Sequence, residues 1–184
     1  MKTFSFSLVL GGVNTNTPNL KDALFEAGCD DALVCFYGNT VYLEFDRDAD
    51  NFNSAILSAI KAIEAAGIGA KVISVDAGDY VGISDISALS NITKQSIALL
   101  KDGKRGAGNF PSPVQRLTSQ QPLWRWGDVA NWLAANNKID TELAKNAETV
   151  EAFNLALELR EPKKCDEILT LAHALQHQDT AMCI

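Results

Sequence analysis

The stretch that decides the fold runs from Val81 to Asn136 and reads VGISDISALSNITKQSIALLKDGKRGAGNFPSPVQRLTSQQPLWRWGDVANWLAAN. Ser84 is a residue type that caps helices, and the three-residue spacing of Ile86 and Leu89 after it places both on one side of a helix. Asn91 then supplies a turn, since asparagine tolerates the left-handed backbone conformation. The pattern predicts a short helix that ends in a tight turn.

A second helix is predicted over residues 93–101, with Thr93 as its cap. Helical spacing directs Ile97 and Leu100 inward. The opposite face carries Lys94, Gln95, Ala98 and Lys101. This outer face is the one that a DNA major groove would meet.

The segment after the second helix, residues 102–126, begins with the basic and glycine-rich run DGKRGAG and ends in LWRW. A further helix that carries Trp132 is predicted to follow it. The whole stretch is therefore interpreted as a winged helix-turn-helix, in which residues 102–126 form the wing.

Two runs of this stretch carry a resemblance to a known family. The run ISDISALSNITKQSI, from Ile83 to Ile97, resembles the helix-turn-helix of MerR-type and AlpA-like excisionase proteins, and WRWGDVANWLAA resembles the end of the same domain. The resemblance covers Val81 to Asn136 only. It departs from the family pattern at Asn91, where glycine is common, and in the length of the wing. It implies a DNA-binding domain.

Several side chains of the second helix suit DNA recognition. Gln95 is able to form two hydrogen bonds with adenine, Lys94 to reach guanine or phosphate, and Ser96 to donate to a phosphate. The alternative is a solvated helix face. In the wing, residues 102–126, the basic side chains are expected to follow the phosphates or to enter a minor groove; the alternative is a surface loop without contacts. The predicted DNA contacts are Thr93, Lys94, Gln95, Ser96, Lys101, Lys104, Arg105, Arg116 and Arg125.

The charge along the chain supports this placement. The net charge is −7, but residues 81–136 hold six basic and three acidic residues, a net charge of +3. Residues 1–80 carry −6 and residues 137–184 carry −4. The only positive segment is the one with the helix-turn-helix pattern, as a single DNA-facing surface requires.

Residues 1–77 alternate strand and helix patterns in the order strand, helix, strand, strand, helix, strand. Thr17 followed by Pro18 predicts the start of the first helix. Gly38-Asn39 indicates a hairpin turn between the second and third strands. This order favours a ferredoxin-like sandwich with one antiparallel sheet under two helices. A dimerisation or protein-docking domain and a ligand-sensing domain are both open interpretations.

Residues 137–184 predict a C-terminal helical hairpin. Asp140 or Thr141 is able to cap a helix that Pro162 ends, and a second helix follows from Lys164 to about Gln176. Such small amphipathic helices bury their apolar stripes on the rest of the chain or on a second copy. The expected architecture is thus α+β in three parts, with a homodimer expected.

Composition excludes several classes of protein. An apolar content of 47% excludes wholesale disorder, and no apolar run is long enough for a membrane span, so a cytoplasmic protein without membrane contact is expected. The three tryptophans, Trp124, Trp126 and Trp132, are expected in the core, with base stacking as the alternative. Four scattered cysteines are expected to be idle, and His173 with His177 to face solvent instead of binding a metal.

No catalytic constellation is recognisable, so neither enzyme activity nor a cofactor is expected. The leading interpretation is a sequence-specific regulator that binds double-stranded DNA. Two others remain open at this point: an excisionase-like factor that bends DNA, and an antitoxin or defence-system subunit that binds a protein through the acidic N-terminal domain or the C-terminal helices.

Overall fold

The structure is a computed structural model that describes residues 1–76 and 79–176. In the N-terminal part the elements are β1 (Lys2–Gly11), α1 (Leu20–Glu26), β2 (Ala32–Tyr37), β3 (Thr40–Ala49), α2 (Phe52–Ala65) and β4 (Lys71–Asp76). They are followed by β5 (Tyr80–Val81), α3 (Ile83–Ser90), α4 (Lys94–Lys101), β6 (Trp124–Arg125), α5 (Trp126–Ala135), α6 (Thr141–Glu158) and α7 (Pro162–Gln176). The described chain is therefore mixed α+β.

One antiparallel sheet joins the first four strands in the order β2-β3-β1-β4. Phe4 and Phe6 of β1 are buried, and Leu8 lies buried between Leu43 of β3 and Val75 of β4. Because side chains alternate across a strand, these residues give the sheet one apolar face. The alternating strand predicted at the N-terminus is confirmed.

The hairpin between β2 and β3 is also confirmed. Tyr37 pairs with Thr40 across the two-residue turn of Gly38 and Asn39, and Gly38 has a φ of 58°. Glycine adopts this left-handed conformation without the steric cost that a Cβ brings. The turn fixes the register in which the inner faces of β2 and β3 meet.

Helix α2 covers the apolar face of the sheet. The Asn51 side chain caps it by accepting a hydrogen bond from the Ser54 N–H at 2.9 Å. The buried residues of α2 recur at helical spacing: Ala55, Ile56, Ala59, Ile60 and Ile63. They complete the first hydrophobic core, together with the inner side chains of the sheet.

Helix α1 begins later than the Thr17-Pro18 signal predicts, at Leu20. The hydroxyl of Thr17 accepts a hydrogen bond from the Asn14 N–H at 2.9 Å, so it belongs to the preceding turn. A capping threonine would accept from an N–H that follows it in the chain, whereas Thr17 accepts from one that precedes it, and sequence alone does not distinguish the two.

A second core forms around α3, α4 and α5, with Ile86, Ile97 and Leu100 buried as predicted. Asn91 separates α3 from α4 with a φ of 54°, which confirms the predicted turn. The predicted cap of α3 is wrong. The cap residue is Gly82, whose N–H donates a hydrogen bond to the Asp85 carboxylate at 2.8 Å, and Ser84 lies inside the first turn.

Helix α6 connects the two cores. Asp140 caps it, as predicted, by accepting a hydrogen bond from the Glu142 N–H at 2.8 Å. Ala144 and Ala147 pack into the second core, whereas Val150, less than one turn further on, packs into the first. One helix thus holds both bodies together.

Asn154 on α6 is buried against the outer edge of β4. Its Oδ1 accepts a hydrogen bond from the Val75 N–H at 2.7 Å, and its Nδ2 donates to the Val75 carbonyl at 3.1 Å and to Asp79 at 3.0 Å. The amide therefore pairs with the strand edge as a neighbouring strand would. Further along α6, Arg160 forms two hydrogen bonds with Glu64 of α2.

The predicted hairpin of α6 with α7 is not what the structure shows. The buried side of α6 faces α5 and β4, and over its described length α7 contributes no buried residue. Pro162 starts α7, because proline fits the first helical position, where no N–H is needed. Leu169, Leu171 and Leu175 of α7 are largely exposed.

Cys29 is buried, and burial raises the pKa of its thiol to about 11. A thiol with that pKa stays protonated at neutral pH and is a poor nucleophile. This supports the expectation of an idle thiol at Cys29. Of the other cysteines, Cys35 and Cys165 are half-buried and free, and Cys183 lies outside the described residues.

We predict that Asn154→Leu lowers the free energy of unfolding by about 1–3 kcal/mol. Leucine has a similar volume but leaves the Val75 N–H and carbonyl without their buried partners. Urea titration followed by circular dichroism measures the change. Asn146→Leu is the control, because the Asn146 amide lies on the same helix and makes no side-chain hydrogen bond within the described chain. Equal stability of the two variants would contradict the assigned role.

Candidate nucleic-acid interface

Helix α4 presents a polar face to solvent. Thr93 caps it: the Thr93 hydroxyl accepts a hydrogen bond from the Ser96 N–H at 3.2 Å, as predicted. The burial of Ile97 and Leu100 leaves Lys94 and Gln95 exposed in the first turn. Within the described chain, neither side chain has a hydrogen-bond or ion-pair partner, so both are available to a ligand.

The glycine-rich segment after α4 is packed against the second core. The Phe110 ring lies 5.1 Å from the ring of Trp132 and 6.4 Å from that of Trp124. The two indole N–H groups donate to backbone carbonyls of the same segment, Trp124 to Pro111 at 2.9 Å and Trp132 to Gly108 at 3.2 Å. The tryptophans therefore hold this loop to the core.

The burial of the three tryptophans distinguishes core packing from base stacking. Trp124 and Trp126 are 1% and 3% exposed, and Trp132 is half-buried. Their faces are in contact with core residues and with Phe110. The expected core packing is confirmed, and base stacking by Trp124 or Trp126 is excluded by this burial.

The projecting part of the wing is shorter than the predicted segment 102–126. Gln115 pairs with Leu123 in an antiparallel bridge, and residues 116–122 form the tip between them. Below the tip, β5 pairs with β6, Val81 lying opposite Trp124. Arg116 stands at the start of the tip, exposed and with a φ of 52°. Arg116 is therefore exposed at one end of this seven-residue tip, next to the bridge between Gln115 and Leu123.

Two of the predicted contacts share one carboxylate. Lys101 donates a hydrogen bond to Asp102, and Lys104 Nζ lies 3.8 Å from the other carboxylate oxygen. The hydrogen bond from Lys101, with the nearby Lys charges, holds the pKa of Asp102 below its usual value. Since Asp102 remains ionised at neutral pH, the three residues together contribute one net positive charge.

The predicted DNA contact of Arg125 is not supported by its surroundings. Its guanidinium lies 2.9 Å from a carboxylate oxygen of Glu151 on α6 and 5.9 Å from the centre of the Tyr80 ring. Alternation correctly predicts that Arg125 points away from the buried tryptophans on either side of it. Glu151 is 26 residues further along the chain, and no local sequence pattern indicates that it contacts Arg125.

Lys138 is a candidate that the sequence interpretation missed. It follows Asn137, which has a φ of 53° and ends the turn after α5, and it lines a pocket of about 210 Å³. The remaining residues of this pocket are Ile92, Ser96, Leu100 and Arg105. Segment charges did not indicate Lys138 as a cation of the interface, because it belongs to residues 137–184, whose net charge is −4. A lysine directly after a left-handed asparagine turn at the end of the helix-turn-helix pattern was the available sign.

Among the residues that the structure describes, four basic residues between positions 81 and 138 have no carboxylate partner. They are Lys94, Arg105, Arg116 and Lys138. The first turn of α4, the loop after it, the wing tip and the turn after α5 each supply one. Unpaired cations on one body attract a polyanion, because no internal charge offsets them.

A second cavity lies between the two bodies. It has a volume of about 410 Å³ and is bordered by β1, α3, α5 and α6, with Phe52, Leu89 and Val150 among its apolar walls. Apolar cavities of this size at domain boundaries commonly bind small molecules.

His173 is exposed on α7, as expected, and His177 lies outside the described residues. Within 1–76 and 79–176, no three side chains of the His, Cys, Asp and Glu types come together as metal ligands. The same ranges contain no helix with the length and apolar character that crossing a membrane requires.

No protein-family model, no curated protein and no solved structure matches the chain. Its function is therefore inferred from its own geometry and charge.

We predict that Phe110→Ala detaches the loop of residues 103–111 from the core and raises the rate of trypsin cleavage after Lys104 and Arg105 several-fold. The cause is the loss of the ring contacts with Trp124 and Trp132, since cleavage requires local opening. Mass spectrometry of timed digests measures the rate. Leu117→Ala at the exposed wing tip is the matched control. Unchanged cleavage in Phe110→Ala would show that the aromatic cluster does not hold the loop.

Proposed function

We propose that this protein is a sequence-specific DNA-binding regulator that reads the major groove with α4. The observation that carries the proposal is the exposed pair Lys94 and Gln95 on α4, whose next residue, Ser96, lines a pocket with Arg105 and Lys138, two cations that have no ion-pair partner within the described chain. Amide and ammonium side chains on an exposed helix are the groups that read base edges, and the surrounding cations suit phosphates.

The arrangement of α3 to α5 supports assignment as a winged helix-turn-helix. Two short helices meet at the left-handed Asn91, and a β-bridged wing leads into a third helix that completes the same core. In such domains the second helix enters the major groove and the wing lies on adjacent backbone. Arg116 and Arg105 would then contact phosphates on either side of α4.

The N-terminal body is proposed to be ferredoxin-like. Its strand order, β4-β1-β3-β2 when given from the other edge, and its order of elements both agree with that fold. The exposed leucines of α7 support a homodimer, since a helix with three exposed leucines gains by burying them against a second copy. A dimer would bind a two-fold symmetric site.

A protein-binding role is the second candidate. The same exposed leucines of α7 favour it, because they would equally suit a different chain, and the antitoxin or defence-subunit interpretation needs such a surface. Co-purification of a stoichiometric partner that depends on α7 would support this alternative. Loss of the homodimer when Leu169, Leu171 and Leu175 are replaced by serine, with no other chain co-purifying with the wild-type protein, would count against it.

Selection of duplex fragments from a random pool by the purified protein tests the proposal directly. Enrichment of one motif is expected, and absence of any duplex binding at low salt would end the proposal. Circular-permutation gel shifts on the selected fragment then separate a regulator from an excisionase-like factor, because only the latter bends its site strongly.

We predict that Gln95→Ala weakens binding at one base pair of the selected motif by about 1–3 kcal/mol and leaves other positions unchanged. The reason is that a glutamine reads adenine through two hydrogen bonds, which alanine cannot form. Titrations against all single-base variants of the motif measure the effect. Gln176→Ala, which removes an exposed glutamine at the end of α7, is the control. An equal loss against every sequence would contradict base reading by Gln95.

We predict that Arg116→Gln and Arg125→Gln differ in their salt dependence. Arg116 has no partner within the described chain, so its loss should reduce the slope of log affinity against log salt by about one. Arg125 is paired with Glu151 and should leave the slope unchanged. Fluorescence-anisotropy titrations across a salt series measure both slopes. The reverse order of effects would show that the wing is placed wrongly.

A further inference from the structure

A small pocket beside α4 brings together groups from three separate parts of the chain. Ser96 and Leu100 come from α4, Arg105 from the following loop and Lys138 from the turn after α5. Ile92, in the turn before α4, adds to the apolar wall. The combination of an apolar floor, one hydroxyl and two cations is suited to a compact anion.

We propose that this pocket binds one phosphate group of the DNA backbone, and that Lys138 and Arg105 hold it. The proposal rests on the DNA-binding function and adds to it the contact that sets the position of α4. Phosphate contacts fix register and orientation, while base contacts give specificity. Because Ser96 is adjacent to Gln95 on α4, a phosphate held here would determine which base Gln95 reaches.

The charge balance of the pocket supports an anion. Among the described residues, neither Arg105 nor Lys138 lies within ion-pair distance of a carboxylate, whereas Lys101 and Lys104 share Asp102 nearby. Two cations that line one pocket repel each other. A phosphate between them would remove that repulsion and would form charge-assisted hydrogen bonds with both.

Ser96 has a donor available for the same ligand. The Thr93 hydroxyl donates to Ser96 Oγ at 3.0 Å and accepts from the Ser96 N–H. Since Ser96 Oγ accepts this bond, its own hydrogen is left to donate. With the bond in this direction the Ser96 hydroxyl donates no hydrogen bond within the described chain, so it is able to point at a phosphate oxygen.

The backbone of the loop after α4 passes close to this pocket at Gly106. Gly106 has a φ of 85°, and a Cβ at this position would stand 3.0 Å from Leu100 Cδ2 and 4.0 Å from Lys138 Cε. Glycine thus lets the loop pass close to the floor of the pocket and to the stem of Lys138. This close approach brings the neighbouring Arg105 to the same pocket.

The volume of about 210 Å³ also favours a phosphate over a larger ligand. Sites for drug-sized molecules occupy roughly 300–1,000 Å³. Inorganic pyrophosphate and a backbone phosphodiester both present anionic phosphoryl oxygens, and the experiment has to separate these two sources.

The test uses the full-length protein and the duplex that it selects. Lys138→Gln is expected to weaken binding roughly tenfold for every sequence and to reduce the salt slope by about one. Lys138→Arg should restore most of the affinity, because it restores the charge. Lys145→Gln, which removes an exposed lysine of α6, is the matched control. Circular dichroism and melting temperature verify that each variant is folded.

A series of duplexes, each with one neutral methylphosphonate linkage, then locates the phosphate. At one position the neutral linkage should weaken the wild-type protein at least as much as Lys138→Gln does, and should have a clearly smaller effect on that variant, in which Arg105 alone faces the phosphate. Wild-type affinity for Lys138→Gln, or no position with this coupling, overturns the phosphate site while the DNA-binding function stands.

A titration with inorganic pyrophosphate at constant ionic strength covers the other source of the anion. A saturable rise in melting temperature that Lys138→Gln lacks supports an anion site even where no duplex binds, and then assigns it to free phosphates. If the wild-type protein binds neither duplex nor pyrophosphate, both this site and the proposed function are wrong.

Discussion

The pairing of the Asn154 amide with Val75 is the interaction on which the arrangement of the two bodies depends. It satisfies the backbone groups at an outer edge of the sheet, where an unpaired strand would otherwise be open to association. It also fixes the rotation of α6, so that Ala144 and Ala147 reach one core and Val150 the other. The core of α3 to α5 is therefore joined to the sheet through α6, which packs against both.

Local patterns predicted the parts of the fold that local physics determines. The alternation from Phe4 to Leu10 required one buried strand face, and Gly38 supplied the backbone conformation that a two-residue turn needs. Asn91 and Thr93 were predictable for the same reason, since a left-handed turn and a helix cap each depend on a few adjacent atoms. The order of elements in residues 1–76 followed from these signals alone.

Interactions across long sequence separations were not predictable. The pattern around Arg125 gives the side of the strand on which it lies, but not the presence of Glu151 in front of it. A stripe of apolar residues shows that α6 is amphipathic, but not that its partners are α5 and β4 instead of α7. Lys138 was missed because the charge was divided by segment, whereas the pocket of Ser96, Arg105 and Lys138 exists only after folding.

The same reasoning explains how an acidic chain can present a cationic surface. Electrostatic attraction in salt acts over about one Debye length, roughly 8–10 Å, so a phosphate responds to the nearest side chains and hardly to the net charge. Net charge by segment overstates residues 81–136, where Arg125 is offset by Glu151 of another segment, and understates the turn at Lys138. What matters is which cations remain without a carboxylate once helices from different segments are packed. Helix α6 packs against both cores, so the sheet and α4 belong to one connected body. The cavity of about 410 Å³ is lined by residues of both parts.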